Sequence, residues 1–216
     1  MIKLDILSDP ICPWCFIGWT NLARAIDARP DHPLAIEWHP FQLNPDMPAG
    51  GLDRRDYMIA KFGGPEGVLR AYGPVIAQAR AAGLTLELDR IARTPNTLDA
   101  HRLIHWAGLE GRQTPLALAL FRAYFTEGRD IGDAATLTDI AGAAGLDAKM
   151  IAALLASEAD KHDIAARDAH ARARGVTGVP CFILANQHVI SGAQSTEFWL
   201  DVIDEITDHL RAGTPA

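Results

Sequence analysis

A chain of 216 residues, 49% of them apolar, can bury one large core or one domain carrying an insertion. The net charge of −7 and the scattered placement of 20 Lys and Arg residues exclude a nucleic-acid footprint; the run from Arg167 to Arg174 is interleaved with Ala and Asp, as on a solvated helix face. The most apolar stretch, Leu116 to Phe125, is broken by Arg122 and too short to span a bilayer, and three cysteines do not make a disulfide-stapled scaffold.

Met1-Ile2-Lys3-Leu4-Asp5 opens directly into an alternating segment, residues 2 to 7, that reads as a first strand with no basic-then-apolar leader before it. A cytoplasmic setting is expected. Pro13 to about Asp27 follows as a helix through Phe16, Ile17, Leu22, Ala23 and Ile26, and Leu34 to Trp38 as a second strand ended by Pro40. A β-α-β unit of this kind makes its two strands parallel.

From about Pro45 to Ser157 the periodicity is helical throughout, and no strand is expected. The predicted helices are Arg54 to Phe62, Pro65 to Ala82, Leu98 to Leu109, Pro115 to Thr126, Ala134 to Ala144 and Ala148 to Leu155, with Asn96, Thr114 and Asp133 as caps. Glu158 to Arg174 reads as a further helix closed by Gly175. Cys181 to Leu184 and His188 to Ile190 read as a hairpin turning at Asn186-Gln187, and Thr196 to Leu210 as a last helix after a Ser195 cap. The fold class expected is α/β: a thioredoxin-like domain from residues 1–48 and 158–216, interrupted by an all-helical domain over 49–157.

Cys12-Pro13-Trp14-Cys15 falls between the first strand and the first helix. A helix N-terminus offers unpaired N–H groups and the positive end of the macrodipole, both of which favour a thiolate. Cys12 is therefore the candidate nucleophile. Cys15, one helical turn on, is placed to displace a mixed disulfide formed at Cys12. Pro13 fits the first helical position, where its missing N–H costs nothing. Zinc is the competing use of C-x-x-C, but a closed site needs four ligands, and no spacing recommends Cys181 with a histidine. No metal is expected.

The segments Ser8 to Cys15, His39 to Pro45, Pro95 to Arg102, Gly175 to Pro180 and Ser191 to Gln194 together resemble the DsbA family of thiol-disulfide oxidoreductases, and more narrowly its FrnE-like branch. The resemblance implies a cis peptide between Val179 and Pro180, facing Cys12, where the flanking backbone pairs with an extended substrate; X-Pro is the ordinary bond that tolerates cis. Cys181 departs from the apolar residue expected after the proline and reads either as a small buried hydrophobe or as a third thiol near the pair. Trp14 is expected on the substrate-facing rim. Asn96 and His101 are similar to positions that line the cleft in kappa-class glutathione transferases and hydroxychromene-carboxylate isomerases; a cap and a satisfied surface histidine are the plain readings, and His39 is ambiguous in the same way.

The function expected is disulfide exchange with protein or low-molecular-weight thiols through the redox-active Cys12-Cys15 pair, without another cofactor and with glutathione as one candidate thiol partner. The competing readings are a glutathione-dependent isomerase or transferase, whose relatives carry Ser at the position of Cys12, and a non-enzymatic holdase. A homodimer is compatible with the chain. The direction of exchange is not encoded.

Overall fold

Alternation along β1 (Ile2–Ser8) builds the molecule, because successive side chains point to opposite faces of a sheet. In this computed structural model, which describes residues 1–213, β1 pairs in parallel with β2 (Leu34–Pro40) and antiparallel with β5 (Cys181–Leu184), which in turn pairs with β6 (His188–Ser191). The sheet order is β2-β1-β5-β6. Register places Leu4 and Ile6 beside Ile36 and Trp38 on one side and Leu184 and Phe182 on the other, so these residues share one face.

Three helices cover that face. In α1 (Pro13–Ala28) Phe16, Trp19, Leu22 and Ala25 fall at three-residue intervals and are buried; α9 (Thr196–Arg211) presents Trp199, Ile203 and Ile206 at intervals of four and three. Between α1 and the end of the chain, the inserted segment runs β3 (Leu52–Asp53), α2 (Arg54–Phe62), α3 (Pro65–Ala81), β4 (Arg93–Thr94), α4 (Leu98–Leu109), α5 (Gln113–Phe125), α6 (Ala134–Ala143) and α7 (Ala148–Leu155). Its α5 is the third cover: Phe121 stacks on Phe16 with centroids 5.2 Å apart, and Trp38 packs against both Trp19 and Phe121. The helical segment and the sheet therefore share one hydrophobic core. The opposite sheet face meets α8 (Lys161–Ala173) near Leu7 and Cys181.

The thioredoxin-like α/β fold with inserted helices is as expected, with local differences. β3 and β4 do form a short ladder, Leu52 opposite Thr94 and Asp53 opposite Arg93; two residues are too few to show a period in sequence. Asp133 and Ser195 cap their helices as expected, each accepting a main-chain N–H three residues on. Thr97, not Asn96, holds the N-cap position of α4, but Asn96 Oδ1 still accepts the Leu98 N–H at 2.9 Å. Thr114 lies inside α5, and its hydroxyl accepts the Trp38 indole N–H at 2.9 Å, a tertiary use that replaces the expected cap. The helix expected from Glu158 begins at Lys161 because Arg102, fully buried, donates to the carbonyls of Leu154, Ser157 and Ala159 and holds that stretch as a turn.

Candidate active site

Cys12 is the N-cap residue of α1, and Pro13 is its first helical residue. The carbonyl of Cys12 accepts the N–H of Cys15 at 3.1 Å and of Phe16 at 3.3 Å, while its own N–H is taken by the Asp9 carbonyl at 2.9 Å. Both cysteines are free thiols and are nearly covered, Cys12 at 3% and Cys15 at 2% exposure. Burial first, and then the adjoining Cys12 sulfur, push the Cys15 thiol well above its ordinary range, against the Ser8 hydroxyl and the Asp9 N–H, which favour its thiolate. Cys15 is thus held as a protonated thiol beneath the turn.

The Val179-Pro180 peptide is cis, and the Cys12 thiol donates to the Val179 carbonyl at 3.5 Å. Gly18, one turn past Cys15, makes this approach fit. A Cβ there would stand 3.2 Å from Pro180 Cγ and 3.3 Å from Ala193 Cα. Sequence reasoning missed Gly18, although a glycine in the middle of a helical pattern is itself a signal of close approach. Trp14 is half-buried and packs against the main core and against the cluster that includes Val75 and Ala79 of α3, so it borders the dithiol without standing free of the core.

Two further residues lie under the dithiol turn. Asp9 is fully buried; its Oδ2 accepts the Leu43 N–H at 2.7 Å and its Oδ1 the Ile11 N–H at 3.3 Å. Burial raises its carboxyl to about 7. His101, at 3% exposure, reaches in from α4 with Nε2 4.0 Å from Asp9 Oδ1, and burial lowers its ring to about 4. His101 borders a small pocket of about 340 Å³ with Trp38 and Pro40. The Asn96 amide donates to the Met47 carbonyl at 2.6 Å, and its Oδ1 also accepts from Gln42.

His39 and Cys181 lie on the other sheet face, lining a groove of about 870 Å³ that also reaches Val179 and Pro180. The Cys181 thiol packs with Leu7, Phe41 and Ala171, and burial raises it. His39 Nε2 lies 2.7 Å from Asp5 Oδ1, and with Glu37 these residues bring three ligand atoms within 4.8 Å. The Lys3 ammonium, 3.0 Å from Asp5 and 2.9 Å from Glu37, already supplies the cation there. The cluster of Asp5, Glu37 and His39 includes no cysteine.

A helix-capping dithiol opposite a cis-proline, on a four-stranded sheet, defines a thioredoxin-like dithiol protein. The chain belongs to the DSBA-like thioredoxin domain family, which matches residues 3–204, and is an oxidoreductase of the DsbA-like kind. It is similar to the uncharacterized protein YwbO of Bacillus subtilis, 26% identical over 94% of this chain and 96% of that one. A probable DsbA oxidoreductase from Streptomyces coelicolor is 31% identical, with a TM-score of 0.84 over 95% of this chain and 89% of that one. The cytosolic disulfide reductase DsbM of Pseudomonas aeruginosa, solved with GSH, shares the fold at 20% identity and a TM-score of 0.64, covering 98% of each chain. No helix among the described residues is long and apolar enough to cross a membrane.

Proposed function

We propose that the protein exchanges disulfides with protein or low-molecular-weight thiols, Cys12 attacking and Cys15 resolving. The observation that carries this reading is the stacking of the two sulfurs: Cys12 caps α1 against the Val179 carbonyl, and Cys15 is buried one turn below it with its proton retained. In the oxidised protein the substrate thiolate attacks Cys12, and Cys15 leaves and takes a proton. In the reduced protein Cys12 attacks a substrate disulfide, forming a mixed disulfide and releasing one substrate thiolate. Cys15 then gives up its proton, attacks the Cys12 sulfur, and the second substrate thiolate departs.

The main chain at Val179, already a hydrogen-bond partner of Cys12, and the ring of Pro180 would receive an extended substrate segment. Glutathione is the small thiol this reading favours, with the Cys12-Cys15 disulfide as the only redox group and the cytoplasm as the setting. A glutathione-dependent isomerase would use the site without cycling its own disulfide, and the presence of a resolving sulfur counts against it.

Turnover of a small disulfide substrate tests the assignment. Cys12→Ser should lose exchange, Cys15→Ser should accumulate mixed disulfides, and Cys181→Ser should turn over like the parent. Parent-like turnover by Cys15→Ser would replace the two-thiol reading with glutathione activation. Retention of function after both Cys12→Ser and Cys15→Ser would favour a holdase.

A further inference from the structure

The sheet face turned away from the dithiol helix carries a groove that ends beside the nucleophile. Its volume is about 870 Å³, and β5 runs through it from Val179 and Pro180, just before the strand, to Asn186 and Gln187 in the turn that follows. Register sets the floor: Leu7, Cys181 and Ser191 stand side by side in one row, and Asp5, Ile183 and Val189 in another, two residues along. From Leu7 back to Lys3, which also lines the groove, β1 covers about 13 Å at the usual rise of a strand. An extended segment of about four residues has that length.

Part of this floor is apolar and wet. Ile183 is half-buried and Val189 is 64% exposed, so an apolar side chain laid along them would be taken out of water. The wall is α8. Arg167, His170 and Arg174, its C-cap, follow one another at intervals of three and four and all line the groove, with the small Ala166 and Ala171 beside them. Arg167 is paired with Asp163 at 2.7 Å, whereas Arg174 and His170 are exposed and make no ion pair among the described residues. Asp5 is the carboxylate in the lining, and the Lys3 ammonium at 3.0 Å and His39 at 2.7 Å already hold it. A cationic wall thus stands over the floor in a chain whose net charge is −7. Its complement is an anionic occupant.

We propose that this groove binds an acidic, partly apolar polypeptide segment flanking the reacting cysteine of a protein disulfide, and that it selects substrates by that segment. This rests on the reading that Cys12 exchanges disulfides. Val179 is the junction, because its carbonyl accepts the Cys12 thiol at 3.5 Å and the same residue lines the groove. A chain whose cysteine meets Cys12 continues past Pro180 onto Ile183 and Val189, where its apolar side chains cover the floor and its carboxylates face Arg174 and His170. Glutathione has carboxylates for the wall but no apolar side chain for the floor, so a polypeptide fits the lining better. The groove adds no chemical step; it holds the disulfide near the attacking sulfur. Its charges are exposed, so the attraction is modest and sensitive to salt.

The test mixes the full chain, with Cys12 and Cys15 reduced, with symmetrical peptide disulfides that share a cysteine and flanking leucines and differ in carrying Glu, Lys or Ser beside them. One protein dithiol and one peptide disulfide give one protein disulfide and two peptide thiols, so no further reductant enters. The acidic peptide should react about fivefold faster than the basic one below saturation. The gain should lie in the half-saturation concentration and not in the limiting rate, and it should fade at about 1 M salt. Arg174→Glu should reverse the order of the two peptides, and Val189→Ser should raise the half-saturation concentration for all three. An acidic peptide with Ser in place of its cysteine should shift the NMR amide signals of β6 and of residues 174–178. Equal rates for the three peptides, an order that Arg174→Glu leaves in place, or amide shifts confined to the inserted helices would overturn the proposal. Glutathione moving the same amides where the cysteine-free peptide does not would overturn it as well, in favour of the small thiol. If no peptide oxidises the protein while the cysteine-free peptide still occupies the groove, the exchange reading is lost and the peptide site stands; oxidation by all three at one rate removes the groove alone.

Discussion

The two faces of the central sheet are built from the same strands and behave as different materials. On one, Leu4, Ile6, Trp38, Phe182 and Leu184 lie under α1, α5 and α9 and are all buried. On the other, Lys3, Asp5, Glu37 and His39 form a polar cluster beside an open groove, in which Asp5 is buried, while Leu7 and Cys181 are buried at the end under α8. One residue of offset along β1 separates the two. The dithiol belongs to the dry face, through α1, and the third cysteine to the groove. That division gives Cys12 and Cys15 a water-poor support, and the groove on the other face reaches the half-buried Val179 and the buried Pro180.

The largest effect is expected from breaking the dry face. Trp199 has no exposed surface and packs edge-on against Phe182 at 4.8 Å, so Trp199→Ala removes a large aromatic group from a site that cannot collapse. A loss of roughly 3–5 kcal/mol is expected, measured by urea unfolding. Trp199→Phe should cost much less, because it keeps the ring contact and removes an indole N–H that is buried without a partner. Equal losses for the two variants would mean that the packing of this ring does not carry the face.

How much of this was legible before the structure follows the same division. The alternation of Ile2 to Leu7, the helical spacing after Cys12, the Ser195 cap and the dithiol itself are local signals, and each element formed where the pattern placed it. Residues that act through distant partners were not legible. Asp9 stood in a recognised segment, but its partner Leu43 and its neighbour His101, which the sequence left open between a cleft residue and a satisfied surface histidine, lie far along the chain. Arg102 fell in a predicted helix at the end of a recognised segment, and only the fold shows it bound to three carbonyls of a turn about fifty residues away. The run from Arg167 to Arg174 read as a solvated face, yet Asp168 is buried, paired with Arg172 and bound to the Gln42 N–H, contacts that come from tertiary packing.

An intermediate effect should appear where the dry face meets the substrate edge. Gly18→Ala adds a methyl group toward the Pro180 ring and the Ala193 backbone, at distances tighter than ordinary contact. Alanine is the better helix former by about 1 kcal/mol, which offsets part of the crowding, so stability should change little. Exchange turnover should fall on the order of tenfold, because a displacement of a few tenths of an ångström at Pro180 is felt at Cys12, the proposed nucleophile. Unchanged turnover together with raised stability would show that the loop yields freely and that Gly18 has no part in setting the Cys12–Pro180 approach.

The smallest effect is expected on the charged face. Lys3 bridges Asp5 and Glu37, but its side chain is 41% exposed and that of Glu37 is 47% exposed, so water screens the attraction. Lys3→Met should cost no more than about 1 kcal/mol, less at high salt. The hydrogen bonds to Glu37 and Asp5 raise the lysine above its ordinary value in the folded protein. The contribution is therefore complete at neutral pH, below the unfolded value of 10.5, and is lost as pH rises through the higher folded value. Parent and variant should differ slightly at pH 7 and converge in alkali. Removing the ammonium also uncovers Asp5, Glu37 and His39 as three ligands with no cation between them. Thermal shifts with zinc should thus be small in the parent and larger in Lys3→Met, and a parent that binds zinc as well as the variant would show that Lys3 does not occupy the centre of the cluster.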